Sequence, residues 1–252
     1  MPTYKSSSIK SKWRKTKWLL QQPNLRQYVP RTVLFTKNNL HTMLDDYKTV
    51  FFKPTDGSGG SNIIRIKREP SGYQTQLNRT KNFYTERKKL HSKLSTHAGK
   101  RSYLLQKGIK LAKTKGRPFD IRVMVQKTNQ GEWVSTGLFA KIGRQGKVAT
   151  NYNQGGTIGY FKPTMLGAGY STPDIQEREA QLKQLGVAVG NAFDNHNRGF
   201  RELGLDVAID SKGIPWILEV NTRPQFYPLK NMSNRKLYSR MVDIGKQYGR
   251  KK

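Results

Sequence analysis

The sequence predicts an α+β fold in two lobes, built on antiparallel hairpins with helices beside them. Three stretches predict it. Residues 203–225, LGLDVAIDSKGIPWILEVNTRPQ, read as two strands joined by a turn, because Asp210-Ser211-Lys212-Gly213 separates two apolar runs. Residues 117–126 alternate apolar and polar side chains, and 132–142 supply a hairpin partner. Residues 173–195 carry Leu182, Leu185, Val189, Ala192 and Phe193 at helical spacing, the longest helix expected. Asp174, Glu177 and Glu179 lie in its first turns, where the helix dipole favours acids.

The first hairpin carries the chemistry. With strands at 205–209 and 214–221 and a four-residue loop, Ile209 should face Ile214 and Asp206 should face Ile217. Side chains alternate across a strand. One face would then hold Leu205, Val207, Ile209, Trp216, Leu218 and Val220, all apolar, and that face sets the register. The other would hold Asp206 and Glu219 as diagonal neighbours, roughly 7–8 Å apart, with Asn221 one pleat further on. Two carboxylates on one face repel unless a positive group lies between them. With an amide oxygen they make a hard-oxygen set suited to Mg²⁺ holding nucleotide phosphates. The alternative is a solvated face with ordinary surface acids. Against it, only 16 of 252 residues are acidic, and Asp206 and Glu219 stand in the most apolar segment.

Composition narrows the function classes. Cysteine is absent, so there is no disulfide framework, cysteine zinc site or thiol nucleophile, which fits a reducing cytoplasm. The N-terminus is basic and polar, and its longest apolar run is Trp18-Leu19-Leu20; it reads as neither a signal peptide nor a transmembrane segment. Apolar residues make up 35% of the chain, enough for a core. The net charge of +31 is spread through the sequence, which implies attraction to polyanions around a folded domain. There is no internal repeat or heptad pattern.

Taken in order, the first ten residues are rich in Ser and Lys and read as disordered. A short helix follows from Ser11, ending before Pro23, with Trp13, Lys17 and Leu20 at helical spacing. Residues 32–35 and 49–53 read as strands, with a helix at 38–47 between them. The second strand delivers Lys53 to the turn Pro54-Thr55-Asp56-Gly57-Ser58-Gly59-Gly60, and 63–67 read as the returning strand. Such a loop lets backbone N–H groups cradle phosphate oxygens, and the lysine adds a point charge. It is neither a P-loop nor a dinucleotide fingerprint, and a plain hairpin loop is the other reading. A strand at 71–77 and a helix at 86–94 follow. Residues 103–109 read as a buried strand ending at Gly108, linking the lobes. In the hairpin at 117–142, Phe119, Ile121, Val123 and Val125 face a core. Arg122 faces the opposite side, where it could reach a ligand. Residues 143–159 form a long polar loop, functional or mobile. Residues 231–252 read as a basic tail with a final helix carrying Leu237, Met241 and Ile244.

Taken together, Lys53-Pro-x-x-Gly-Ser-Gly-Gly, Asp120-Ile-Arg122, Thr150-Asn151 with Gly155-Gly156, Gly-Leu-Asp206 and Leu-Glu219-Val-Asn221-Thr-Arg-Pro resemble an ATP-grasp enzyme, and within that superfamily the YheC/YheD family of endospore coat-associated proteins. The resemblance covers roughly residues 10–230. It implies two α+β lobes with antiparallel sheets gripping ATP: a basic lead over 1–25, an ATP-grasp domain over 26–230 (about 26–105 and 106–230), and a basic tail over 231–252. The N-terminal doubly wound domain of such ligases is largely absent, since too few residues precede Pro30 to build it. It implies that Lys53 and a second lysine, Lys17, contact the nucleotide phosphates, that Gly57, Ser58, Gly59 and Gly60 close over them, and that Gln106, Lys107, Gly108 and Ile109 read adenine through the backbone. Asn151 joins the nucleotide-binding set. So does Lys141, where many relatives carry arginine. Arg122 would neutralise the transferred phosphoryl group, and Asp206, Glu219 and Asn221 would hold Mg²⁺, with Glu219 bridging two ions. The implied activity is carboxylate–amine ligation through an acylphosphate. The charge suits an acidic peptide or polymer as acceptor, and a second copy or another protein would complete the acceptor site. The family implies spore association. A non-catalytic ATP-grasp scaffold and a polyanion-binding protein remain the alternatives.

Overall fold

The computed structural model describes residues 3–57, 62–144 and 155–250. Helices α1 (Lys12–Leu20) and α2 (Pro23–Arg26) precede a first sheet and its two helices. In chain order these are β1 (Thr32–Leu34), α3 (Lys37–Asp46), β2 (Thr49–Pro54), β3 (Ile64–Glu69), β4 (Gly72–Leu77), β5 (Thr80–Tyr84), α4 (Arg87–Ala98) and β6 (Tyr103–Lys107). The sheet order is β1-β6-β2-β3-β4-β5, antiparallel throughout. Alternation along the strands divides its faces. Val50, Phe52, Ile66 and Leu105 meet Leu40, Met43, Leu44, Leu90 and Leu94 of the two helices in one core. Phe51, Lys53, Arg65, Lys67 and Gln106 point the other way, into a cleft. Strand β5 was not evident in the sequence; Asn78, at φ 55°, makes the left-handed turn that returns the chain.

The second sheet holds β7 (Lys113–Thr114), β8 (Arg117–Lys127), β9 (Trp133–Ile142), β10 (Thr157–Tyr160), β11 (Glu202–Ile209) and β12 (Pro215–Asn221). Its order is β10-β9-β8-β11-β12, with β7 paired to β8, again antiparallel. Strand β10 occupies the end of the expected long loop. After α5 (Phe161–Leu166), helix α6 (Thr172–Asp194) begins at a capping box between Ser171 and Asp174. Its buried stripe packs on Phe119, Ile121, Val123 and Val125, the inward face expected from the alternation.

The chain ends pack against this second sheet. Helix α7 (Lys236–Gln247) buries Met241 and Val242 against Met124, Phe139 and Phe226, and Gln126 donates to the Met241 carbonyl at 3.0 Å. Residues 3–11 run extended across the same lobe: the Lys5 amide donates to Tyr248 O, Ser7 to Gly199 O and Ile9 to Thr222 Oγ1. Disorder was expected for the first ten residues. From residue 3 it is replaced by backbone bonds that only the folded lobe can supply.

The β11–β12 hairpin departs from its expected register. Ile209 pairs with Pro215, Ala208 with Trp216 and Val207 with Ile217; the register then shifts, so that Asp206 faces Glu219, Leu205 faces Val220 and Gly204 faces Asn221. Two physical causes are visible. The Asp210 carboxylate accepts from the Lys212 and Ile214 amides and from Trp216 Nε1, so the turn runs one residue longer. Leu218 is then extruded as a bulge. Ile217 goes to the core with Val220, whereas Leu218 and Glu219 line the cleft.

Gly190 lets α6 approach the sheet: a Cβ there would lie 2.5 Å from the Trp133 ring. That ring is pinned by Nε1 donating to Asp194 at 2.9 Å. Alanine normally gains about 1 kcal/mol over glycine inside a helix. Here Gly190→Ala should instead destabilise by about 1–3 kcal/mol through overpacking. Urea unfolding measures it, and an unchanged midpoint would show that the ring can yield.

Candidate functional site

The cleft between the sheets has a volume of about 650 Å³. Its first wall is β2, β3 and β6; its second is β8, β9, β11 and β12, and residues 108–111 connect the two. Asp120, Lys141, Asp206 and Glu219 make part of the lining charged, and the remainder mixes Tyr47, Phe51, Ile109, Leu111 and Leu218 with lysines.

Four charges interlock across three strands of the second wall. Arg122 and Asp206 are register partners between β8 and β11, and Asp120 and Lys141 between β8 and β9. Arg122 Nε donates to Asp206 Oδ1 at 2.7 Å; Lys141 Nζ lies 3.0 Å from Asp206 Oδ2 and 2.9 Å from Asp120 Oδ1. All four side chains are buried. Burial alone would raise the Asp206 carboxyl, but the fields of Arg122 and Lys141 outweigh it and hold it well below the usual carboxylate range. For Arg122 and Lys141 burial opposes the charge, and the neighbouring carboxylates raise both cations above their ordinary values. Asn221 Nδ2 reaches Asp206 Oδ2 at 3.4 Å.

Glu219, opposite Asp206, meets Lys12 Nζ at 3.3 Å. The same ammonium donates to Gly57 O at 2.6 Å, and the Lys12 amide donates to Thr55 O at 2.6 Å. Lys12 therefore ties β12 to the loop leaving β2. Lys53 Nζ donates to Gln106 Oε1 at 2.6 Å, and Gln106 Nε2 reaches Thr32 Oγ1 at 3.2 Å and the Leu218 carbonyl at 3.4 Å. The bulge at Leu218 thus aims a carbonyl at the residue that positions Lys53. Burial lowers the Lys53 amine to about 8, and Lys12 adds to the shift against the pull of Glu219 and Asp206. Burial does the same to Lys15, also to about 8.

The expected site residues divide clearly. Lys53, Gln106, Lys107, Gly108, Ile109, Lys141, Asp206 and Glu219 line the cleft, and Arg122 and Asn221 touch Asp206. Gly57 enters through its carbonyl. Gly108 packs so closely that a Cβ would lie 2.6 Å from Thr49, and its amide donates to Thr49 O at 2.8 Å. Lys107 Nζ sits between the Tyr47 and Trp216 rings, 5.4 and 4.8 Å from their centroids. Ser58, Gly59, Gly60 and Asn151 lie outside the described residues. Lys17 does not join the cluster: it is exposed, with Nζ 6.0 Å from the Trp13 ring. The face that α1 buries carries Lys12, Lys15 and Leu19. Their i, i+3, i+7 spacing was readable in the sequence; the choice between that face and the one with Lys17 needed the helix's packing partner.

Asp206, Glu219 and Asn221 offer oxygen donors only. Among the described residues there is no group of three His, Asp or Glu side chains able to hold a metal alone. A hard divalent ion here would draw its remaining ligands from phosphate oxygens and water, as Mg²⁺ ordinarily does, so the donor set fits such an ion bound together with a phosphate chain.

Two antiparallel sheets gripping a cleft, with lysines from one side and paired carboxylates from the other, define an ATP-grasp protein. Residues 2–251 match the family model described as YheC/D like ATP-grasp, and the chain belongs to that family. It is 29% identical over 224 residues to the endospore coat-associated protein YheD of Bacillus subtilis (strain 168), covering 85% of this chain and 48% of that protein. To YheC of the same organism it is 24% identical over 225 residues, covering 86% and 60%. The chain thus spans about half the length of the curated relatives it matches. Among solved structures, biotin carboxylase of Campylobacter jejuni in its β-γ-ATP complex superposes with TM-score 0.56 at 14% identity, over 96% of this chain and 47% of that one. The VanG D-Ala:D-Ser ligase of Enterococcus faecalis does so with TM-score 0.56 at 14% identity, over 94% and 61%. Among the described residues no helix is long and apolar enough to cross a membrane.

The lowered lysines carry a pH signature. Between pH 8 and 10.5 the folded chain holds fewer protons on Lys53 and Lys15 than the unfolded chain, so their contribution to stability rises with pH across that window. A phosphate ligand favours the ammonium form. Its binding at pH 8 should therefore take up protons, and its affinity should fall as pH rises above 8. Calorimetry with ATP and Mg²⁺ in buffers of different ionisation enthalpy measures this. Equal heats in all buffers would show that neither amine changes charge on binding.

Proposed function

We propose that the protein is an ATP- and Mg²⁺-dependent carboxylate–amine ligase, acting in the cytoplasm of a spore-forming cell on an acidic peptide or polymer. One observation carries the proposal: Asp206 and Glu219 face each other across a strand pair lining the cleft, within a surrounding set of lysines and an arginine. Phosphoryl transfer asks a protein for little covalent chemistry; positioning and charge neutralisation carry it. Mg²⁺, when bound, would screen the phosphate oxygens and polarise the group being transferred.

The chain's own residues have separable tasks on this reading. Lys53, steadied by Gln106, and Lys12, steadied by Glu219 and Gly57 O, bind the phosphate chain and set its direction. Asp206, Glu219 and Asn221 supply the metal-facing oxygens. Arg122 and Lys141 keep Asp206 ionised and face the charge that develops on the transferred group. A substrate carboxylate oxygen would bond to the terminal phosphorus as the bond to the bridging oxygen breaks and ADP leaves. The amine nitrogen would then bond to the acyl carbon and lose a proton, as phosphate departs. Residues 106–109 form the wall that would read the base through its backbone.

The endospore coat-associated relatives support spore association, and the charge of +31 supports an anionic acceptor. A second copy or a partner protein would complete the acceptor site. The same charge favours a second reading, in which the fold is a non-catalytic scaffold that binds polyanions. Binding would then weaken steeply with salt and ignore changes at Asp206 or Glu219.

Thermal unfolding with ATP, with and without Mg²⁺, separates the two readings. A ligand at about 100 times its Kd stabilises by roughly 2.7 kcal/mol. The wild type should show this shift only with Mg²⁺, and Glu219→Gln should lose it along with phosphate release in a screen of carboxylates and amines. An equal shift in both proteins, or none in either, would sink the ligase reading.

A further inference from the structure

The outer half of the first sheet has no part in the arrangement above. Its strand registers carry the cleft-facing side outward in two rows. One row runs Phe51, Arg65, Gln76 and Lys81, with one residue from each of β2, β3, β4 and β5. The other runs Thr49, Lys67, Gln74 and Phe83. The first two residues of each row line the cleft. The last two continue the same face beyond it, because register partners point to one side of a sheet. The opposite face holds Tyr73, Leu77 and Tyr84 against the helices. Lys81 is exposed, and so is Phe83, at 48%. The cleft thus opens onto a shelf that ends in a cation and an aromatic ring.

The charges on the shelf are unevenly matched. Lys67 pairs with Glu69 at 2.6 Å, and Arg65 donates to Gln76 Oε1 at 2.6 Å. Among the described residues neither Lys81 nor Arg79, exposed in the turn before β5, has a carboxylate partner. Strand β5 ends the sheet order, and a lysine there would serve as a guard against stray strand pairing. Phe83, two residues on, undoes that guard, since an exposed ring beside an open edge invites contact. Cations and a ring on one accessible face fit a ligand that is acidic and partly apolar. A nucleic-acid strand calls for successive stacking rings along a basic groove, and past the cleft this shelf offers one.

We propose that this shelf docks an extended acidic peptide and is continuous with the cleft that receives the peptide's reacting end. The inference rests on the acidic-acceptor reading above and gives the acceptor's remote residues a place. Neighbouring strands lie about 4.8 Å apart, so a row from β2 to β5 spans roughly 14 Å, which about four or five extended residues cover. Acidic side chains lie against Lys81 and Arg79, and an apolar one packs on Phe83. The peptide crosses Gln74 and Gln76 to reach Arg65 and Lys67 at the cleft.

The test is the binding of a labelled oligoglutamate peptide with one central leucine, about ten residues long so that it overspans the shelf. The variants are Lys81→Glu and Phe83→Ser. Lys93→Glu makes an equal charge change at an exposed position of α4, the helix on the other face of the sheet. Lys81→Glu and Phe83→Ser should each weaken the peptide by about 10-fold. Lys93→Glu should bind it as the wild type does, and all three should keep the wild-type unfolding temperature. Hydrogen exchange on the wild type supplies a second readout, with the peptide slowing exchange over residues 74–83. The proposal is overturned if the wild type does not bind the peptide, if the shelf variants bind it unchanged, if Lys93→Glu loses as much, or if the slowed amides lie elsewhere. It is equally overturned if an oligonucleotide of equal charge binds at least as tightly and loses as much in the shelf variants, or if the wild type is a dimer that Phe83→Ser dissociates, which makes the face a contact between copies. MgATP in the thermal assay keeps the two readings apart. Loss of peptide in the shelf variants with no MgATP shift in any protein leaves the shelf standing and sinks the ligase reading. A MgATP shift with unchanged peptide binding does the reverse.

Discussion

The buried pairing of Asp206 with Arg122 and Lys141 is the constraint on which the site depends. Three strands meet there in one register, and each contributes a charge that could not be buried alone. The pairing keeps Asp206 ionised in a place where burial would otherwise protonate it. It also sets the height of β12, because Glu219 can face Asp206 only if the chain has gained a residue at Leu218. A carboxylate cluster this deep is stable without a ligand only because the sheet carries its counter-charges with it.

The two walls of the cleft are joined by polar contacts more than by a shared core. Each sheet has its own apolar cluster. Between them run Lys12, from α1 to Gly57 and Glu219, and Gln106, from Lys53 to the Leu218 carbonyl. Lys107 adds a third link, between rings from opposite walls. On the proposed reading, these contacts involve the same residues that would bind the phosphate chain. A polyanion entering the cleft would compete for the ammonium groups that hold the walls together, so its binding and the setting of the lobes would share one set of charges.

The ends of the chain belong to this design. Glu202, fully buried at the start of β11, receives Tyr4, Tyr248 and Arg250. Arg250 also donates to the Pro224 carbonyl, and Arg122 donates to the next carbonyl, Gln225. The loop after Asn221 is thereby held from both sides, by a site residue within and by the chain ends without. Segments that look like a basic lead and a basic tail are part of what keeps Asn221 beside Asp206.

By itself the sequence determined most strands and helices of both lobes, though not β5, β7, β10 or α5, the inward faces of β8 and α6, and the candidate residues Lys53, Arg122, Asp206, Glu219 and Asn221, with Lys141 added by the family resemblance. Those features rest on local periodicity and on the spacing of residue types, which a linear reading can see. Tertiary structure decided the rest. The bulge at Leu218 follows from a longer turn built by the Asp210 carboxylate and from the need to pair Asp206 with Glu219. The choice of Lys12 and Lys15 over Lys17 was decided by which face of α1 the second lobe covers. The order found in residues 3–11 comes from partners far along the chain, the carbonyls of Gly199 and Tyr248 and the Thr222 hydroxyl. Each of these is a long-range contact, and no local pattern encodes the side of a helix, or the extra residue of a strand, that such a contact selects.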